Sequence, residues 1–141
     1  EGDSTVYYYS IHEHPSFAYP GTGREFESGK DFGSGYTKNS PVLQGQGDED
    51  YKRLIQSDLL PAFKDFNPEV ILVSAGFDAH KDDDMSDIKL STDGFTWIME
   101  NIVELARHSA KGRIISVLEG GYSLARLPEL AANHVEVLLN A

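Results

Sequence analysis

Cysteine is absent from the 141 residues, so disulfides and thiolate metal sites are both excluded. No apolar run approaches the roughly 20 residues of a membrane-spanning helix, and no signal peptide is visible. A cytoplasmic location with no membrane partner is the expectation. Basic residues are few: 12 Lys and Arg stand against 23 Asp and Glu, a formal net charge of -11. Nucleic acid is therefore not an expected partner, because phosphate backbones are bound by clustered Lys and Arg. The acidic balance suits a cationic substrate, and it is equally the ordinary state of many acidic soluble proteins. The chain also lacks an initial Met. It starts at Glu1, which predicts a processed, designed or partial chain.

What is present is ordinary for one globular domain: 40% hydrophobic and 25% charged residues, enough for a hydrophobic core across residues 1–141. Val6 to Ile11, "VYYYSI", is aromatic and β-branched and predicts a strand. Residues 15–50 hold most of the Gly and Pro and read as a long, functional loop. Asp48 or Asp50 caps a helix with Tyr51, Leu54, Ile55, Leu59, Ala62 and Phe66 at helical spacing. Pro61 should kink or shorten it, and Asn67-Pro68 should end it. Val70 to Ala75 reads as a strand buried on both faces, the mark of a parallel sheet.

Ser91 or Thr92 caps a second helix whose apolar stripe is Phe95, Ile98, Ile102, Leu105 and Ala106, with Gly112 closing the segment. Arg113 to Leu118 repeats the buried-strand pattern. Pro128 suits the first turn of a last helix, with Leu130, Ala131, Val135 and Leu138 facing inward. The alternation of strand and helix predicts an α/β fold, a parallel sheet with flanking helices.

Sites in such sheets form beyond the carboxyl ends of the strands. Three strand ends carry unusual residues: Ser10, His12 and His14; Asp78, His80 and Asp82 to Asp84; and Glu119, Gly120, Gly121 and Tyr122. All three should share one edge of the sheet. Asp78 and His80, like His12 and His14, are two apart, so in extended backbone each pair points one way and could share a metal. The plainer reading is that these are solvated loop residues. Gly120-Gly121 gives a bare turn that a ligand can approach, with Tyr122 presenting a hydroxyl, or it is a simple strand-to-helix turn.

Taken together, "ILVSAGFDAHKDD", "VLEGGY", "YYYSIHEHPSFAYPGTG" and "GYTKNSPVLQGQGDEDY" resemble the C-terminal half of the zinc-dependent histone deacetylase superfamily. The likeness is nearer to its class II and bacterial members, the acetylpolyamine amidohydrolases among them. It implies the C-terminal portion of an arginase/deacetylase-like fold, with zinc as the metal and an acylated lysine or polyamine as the substrate. Asp78 matches a zinc ligand and Tyr122 the tyrosine that hydrogen-bonds the substrate carbonyl. Tyr19, Met85, Gly120 and Gly121 match walls of the acyl-lysine channel. Ser10 and the Ile11 carbonyl match one monovalent-cation (potassium) site, and Tyr36 a second. The family pattern makes none of His80, His12 and His14 a ligand, and its assignment is preferred to the spacing.

The family's upstream Asp-x-His ligands and His-His pair are not in this sequence, and "DDDMSDIKL" lacks the proline and glycines often found there. The chain alone is therefore expected to be inactive, and to self-associate through an exposed sheet edge. The alternative is a stand-alone, non-catalytic α/β domain that binds a ligand or partner.

Overall fold

The computed structural model of the chain describes residues 1–140. Four strands and their helices follow in the order β1 (Tyr8–Glu13), β2 (Thr37–Val42), α1 (Asp48–Leu54), α2 (Leu60–Phe66), β3 (Ile71–Ala75), α3 (Thr92–Ser109), β4 (Ile114–Leu118) and α4 (Leu127–Leu139). A one-turn 3₁₀ helix, Asp31–Gly33, lies in the first long loop. The α/β architecture with parallel strands is as the sequence predicts.

The pairing is not a single three-stranded sheet. β1 pairs in parallel with β2, and β3 with β4, as two separate pairs. β2 falls inside the stretch expected to be loop. Its sequence, Thr-Lys-Asn-Ser-Pro-Val, has no alternating apolar pattern, and Pro and Asn are poor strand formers. The ladder explains why Pro41 is tolerated. Tyr8 donates to Tyr36 O and His14 donates to Val42 O, so the even-numbered residues of β2 face β1 and Pro41 turns its ring nitrogen away. The same alternation turns the Ile11 carbonyl away from β2.

Between α1 and α2 the chain widens into one π-helical turn, Ile55–Leu59. Pro61 follows directly and lacks the N–H that a regular helix would use there. The helix therefore continues through Pro61. It ends at Asn67, which takes the left-handed conformation (φ 52°). Tyr7, Tyr36, Phe63 and Phe66 interlock near this end and pin the start of β1 to α2.

The β3–β4 pair is buried on one face only, against the expectation. Ile71, Val73, Ala75 and Ile114 pack on α3 and α4, around buried Ala106, Ala110 and Leu130. The alternate residues Leu72, Ile115 and Val117 are exposed. In α3 the deepest residues are Met99, Val103 and Ala106, flanked by the predicted stripe. Ser91 caps α3, its Oγ accepting the Gly94 N–H at 3.0 Å, and is itself held by Asp48. In α4, Val135 is exposed. His134 turns inward instead, bonding Ser116 Oγ at 2.8 Å and meeting Phe77 edge to face.

A third cluster joins the two strand pairs. Val42 at the end of β2, Tyr51 of α1, and Ile88 and Leu90 of the β3–α3 loop bury together, with Ile11 and Ala79 packed against them. This loop, and no shared strand, brings the carboxyl ends of β2 and β3 toward one region.

Candidate functional site

β3 does not run straight on into its acidic tail. Phe77 O accepts the His80 N–H at 3.1 Å, closing a turn with Asp78 and Ala79 at its centre. Asp78 and His80 therefore diverge, and the shared-metal reading of their spacing fails. His80 is 1% exposed and both ring nitrogens are engaged. Nδ1 accepts the Asp82 N–H at 3.1 Å, which leaves Nε2 to donate to Thr92 Oγ1 at 3.3 Å. The ring stacks on Phe95, and burial pushes its pKa down. His80 is a neutral structural anchor.

Asp78 is half-buried at the carboxyl end of β3, beside the turn that leaves β4. The ladder extends to this point, with Phe77 N–H donating to Gly120 O at 2.8 Å. The Asp78 carboxylate lies against the Gly120 α-carbon so closely that a Cβ there would sit 2.6 Å from Oδ2. Burial first, then the neighbouring carboxylates of Asp83 and Glu119, raise the Asp78 pKa. No ion pair among the described residues includes Asp78. A partly desolvated carboxylate in a negative surrounding, with no cationic side chain, is suited to a cation.

Gly121 has φ 139°, a conformation that favours glycine, and a Cβ there would press on Phe77 and Leu127 at 3.1 Å. Tyr122 follows with its ring exposed and its hydroxyl unbonded among the described residues. Its backbone is held by a residue that sequence reasoning passed over as one of three aspartates. Asp83, 4% exposed, accepts the N–H groups of Tyr122 at 2.7 Å and Ser123 at 2.8 Å on Oδ2, and of Met85 at 3.0 Å on Oδ1. Burial alone would raise its pKa, but the N–H donors of Tyr122, Met85 and Ser123 more than offset this and hold it low. No sequence signal separates Asp83 from Asp82, which pairs with Arg126 at 2.8 Å, or from exposed Asp84. Asp78, Met85, Gly120, Gly121 and Tyr122 thus form one connected region.

The remaining candidates sit elsewhere. His12 accepts from Ser10 Oγ at 2.7 Å on Nδ1 and reaches Gly23 O at 2.8 Å through Nε2, so both nitrogens are occupied. His14 Nδ1 accepts the Ser16 N–H at 3.1 Å. Ser10 and Ile11 lie inside β1, while Tyr36 precedes β2 in the aromatic cluster at the opposite end of the pair. Ser10 lies inside β1, but the end of that strand does reach the same edge: His14 donates to Val42 O, and Glu13 Oε2 accepts the Asp87 N–H of the β3–α3 loop at 3.3 Å. Tyr19 is almost wholly exposed and touches none of the Asp78 group through any hydrogen bond.

As a metal site the region offers one suitable donor. Asp78 fits zinc, which accepts carboxylate oxygen. Among the described residues no group of three or more His, Cys, Asp or Glu gathers to hold an ion. Asp78 is thus a single candidate metal ligand among the described residues.

Parallel strands whose carboxyl ends present a carboxylate beside a Gly-Gly-Tyr turn define an α/β chain with its candidate functional edge beyond β3 and β4. Comparison with known proteins narrows the class. The family model "Histone deacetylase domain" matches residues 1–138. A probable deacetylase of Archaeoglobus fulgidus is 39% identical over 122 residues, covering 86% of this chain and 33% of its own. The chloroplastic histone deacetylase 14 of Arabidopsis thaliana is 35% identical, over 97% of this chain and 32% of its own. The crystal structure of acetylpolyamine aminohydrolase from Burkholderia pseudomallei superposes with a TM-score of 0.87 at 29% identity, covering 97% of this chain and 39% of that one. The chain belongs to the histone deacetylase family, and it spans about a third of the length of these curated relatives.

Proposed function

We propose that this chain forms part of a zinc-dependent deacetylase or related amidohydrolase acting on an acylated lysine or polyamine. The observation that carries the reading is the Asp78 carboxylate, in no ion pair among the described residues and packed on Gly120 of the Gly-Gly-Tyr turn. When bound, zinc would act as a Lewis acid on the amide carbonyl. Asp78 would be one of its ligands. Tyr122 would donate its hydroxyl to the oxygen that gains charge as the amide is attacked. Gly120 and Gly121 leave the approach bare, and Met85 and Tyr19 would line the acyl channel.

Family membership and the solved acetylpolyamine aminohydrolase support the substrate class. The acidic surface suits a substrate with a cationic remainder. Ser10, the Ile11 carbonyl and Tyr36 would serve two monovalent-cation sites. The outward turn of the Ile11 carbonyl favours the first, with potassium as the ion. With one ligand of the set and no general base at hand, this chain alone would not hydrolyse acetyl-lysine. The cytoplasmic location is a separate proposal, which cell fractionation decides.

The test uses the longer protein that carries this chain. Asp78→Ala should strip zinc, while His80→Ala should retain it, since both His80 nitrogens are spent on the fold. Metal content of the purified variants decides the ligand, and hydrolysis of an acetyl-lysine peptide decides the reaction. Equal zinc loss in both variants, or chelator-sensitive hydrolysis by this chain alone, would refute the assignment.

A further inference from the structure

Asp83 joins two segments that are remote in sequence. One oxygen holds the Met85 N–H, and the other holds Tyr122 and Ser123. Tyr122 needs such a restraint. Two glycines precede it and widen the backbone's freedom, and among the described residues no hydrogen bond fixes its hydroxyl. The clamp has a rigid base. Buried His80 accepts the Asp83 N–H on its carbonyl at 2.8 Å and the Asp82 N–H on its ring, so the Asp83 backbone is itself fixed.

We propose that Asp83 is a positioning residue: its carboxylate clamps the Gly120–Ser123 turn to the His80–Met85 loop and so sets where Tyr122 presents its hydroxyl. The catalytic purpose of the clamp rests on the function proposed above, whereas the clamp itself does not. Loss of the carboxylate leaves Tyr122 in place chemically but spreads it over several turn conformations, of which a fraction are reactive. The effect falls on turnover more than on substrate affinity.

Two variants of the longer protein test this. Asp83→Ala removes every acceptor. Asp83→Asn keeps the volume but turns one oxygen into an amide that cannot accept, so it should serve one segment and not both. By hydrogen–deuterium exchange, the Tyr122 and Ser123 amides should exchange at least about tenfold faster in Asp83→Ala. Asp83→Asn should be intermediate, and the β3 and β4 amides unchanged. On an acetyl-lysine peptide, kcat should fall at least about tenfold in Asp83→Ala with KM within about threefold, and Asp83→Asn should recover part of it. Unchanged exchange at Tyr122 and Ser123 would overturn the clamp. Faster exchange with normal kcat, in an enzyme that Tyr122→Phe cripples, would overturn the positioning role. A fully active Tyr122→Phe enzyme would instead sink the proposed function, a failure that leaves the exchange result standing.

Discussion

Gly120→Ala should weaken the proposed metal site while leaving the protein folded. The added methyl would lie 2.6 Å from Asp78 Oδ2 and 2.9 Å from its Cγ, where ordinary contact begins at 3.4 Å. The carboxylate must therefore retreat by about 0.8 Å, several times the roughly 0.2 Å tolerance of metal–ligand distances. Displacing a ligand in this way should weaken zinc binding by about 10–100-fold, the usual effect of disturbing what orients a ligand. Stability should fall by at most about 2.6 kcal/mol. Crowding costs about 1–3 kcal/mol, and replacing glycine recovers about 0.4–1 kcal/mol by restricting the unfolded chain. Gly76→Ala is the control, since its methyl would meet Asp78 Oδ1 at 3.3 Å, close to ordinary contact. It should hold zinc within about threefold of the parent, less than ~1 kcal/mol. The assay is competitive zinc titration of the longer protein, with thermal melts to verify folding. A folded Gly120→Ala enzyme that binds zinc like the parent would refute the placement of Asp78 as a ligand.

Tyr122→Phe keeps the ring and removes the hydroxyl, so kcat should fall by roughly a hundred- to a thousandfold, about 2.7–4 kcal/mol of barrier, with KM little changed; turnover within about threefold of the parent would make Tyr122 a turn residue only. Burial depresses the pKa of both His80 and His134, so below their ordinary value of 6.5 the unfolded chain binds more protons and stability falls with pH. The melting temperature should drop between pH 7.5 and 5.5, and by less in His134→Gln; a flat profile across that window would show that neither ring is held neutral. The open face of β3–β4, with Leu72, Ile115 and Val117 exposed, should drive self-association of this chain, relieved by Ile115→Lys; light scattering that finds a monomer at high concentration would count against it.

Local signals carried much of this molecule. The apolar runs at Val70–Ala75 and Arg113–Leu118, the Ser91 cap and Pro128 in a first turn all made their elements visible, because each acts through neighbours in sequence. So did the pairing of Asp78 with the Gly-Gly-Tyr turn, since both sit at the ends of recognisable parallel strands. β2 was illegible because "TKNSPV" has no strand pattern of its own and gains its form from the ladder with β1. Spacing alone did not reveal the direction of His80, because a turn at Asp78-Ala79, closed by a single backbone bond, breaks the extended geometry that the spacing assumes. By itself the sequence determined the α/β class, the strands β3 and β4, and the family resemblance that marks Asp78 and Tyr122 as candidates. Only the tertiary structure decided that Asp83, alone of three aspartates, is the buried clamp on Tyr122, because its three N–H partners include two from a segment about forty residues away, whose position is set by packing rather than by neighbouring residues.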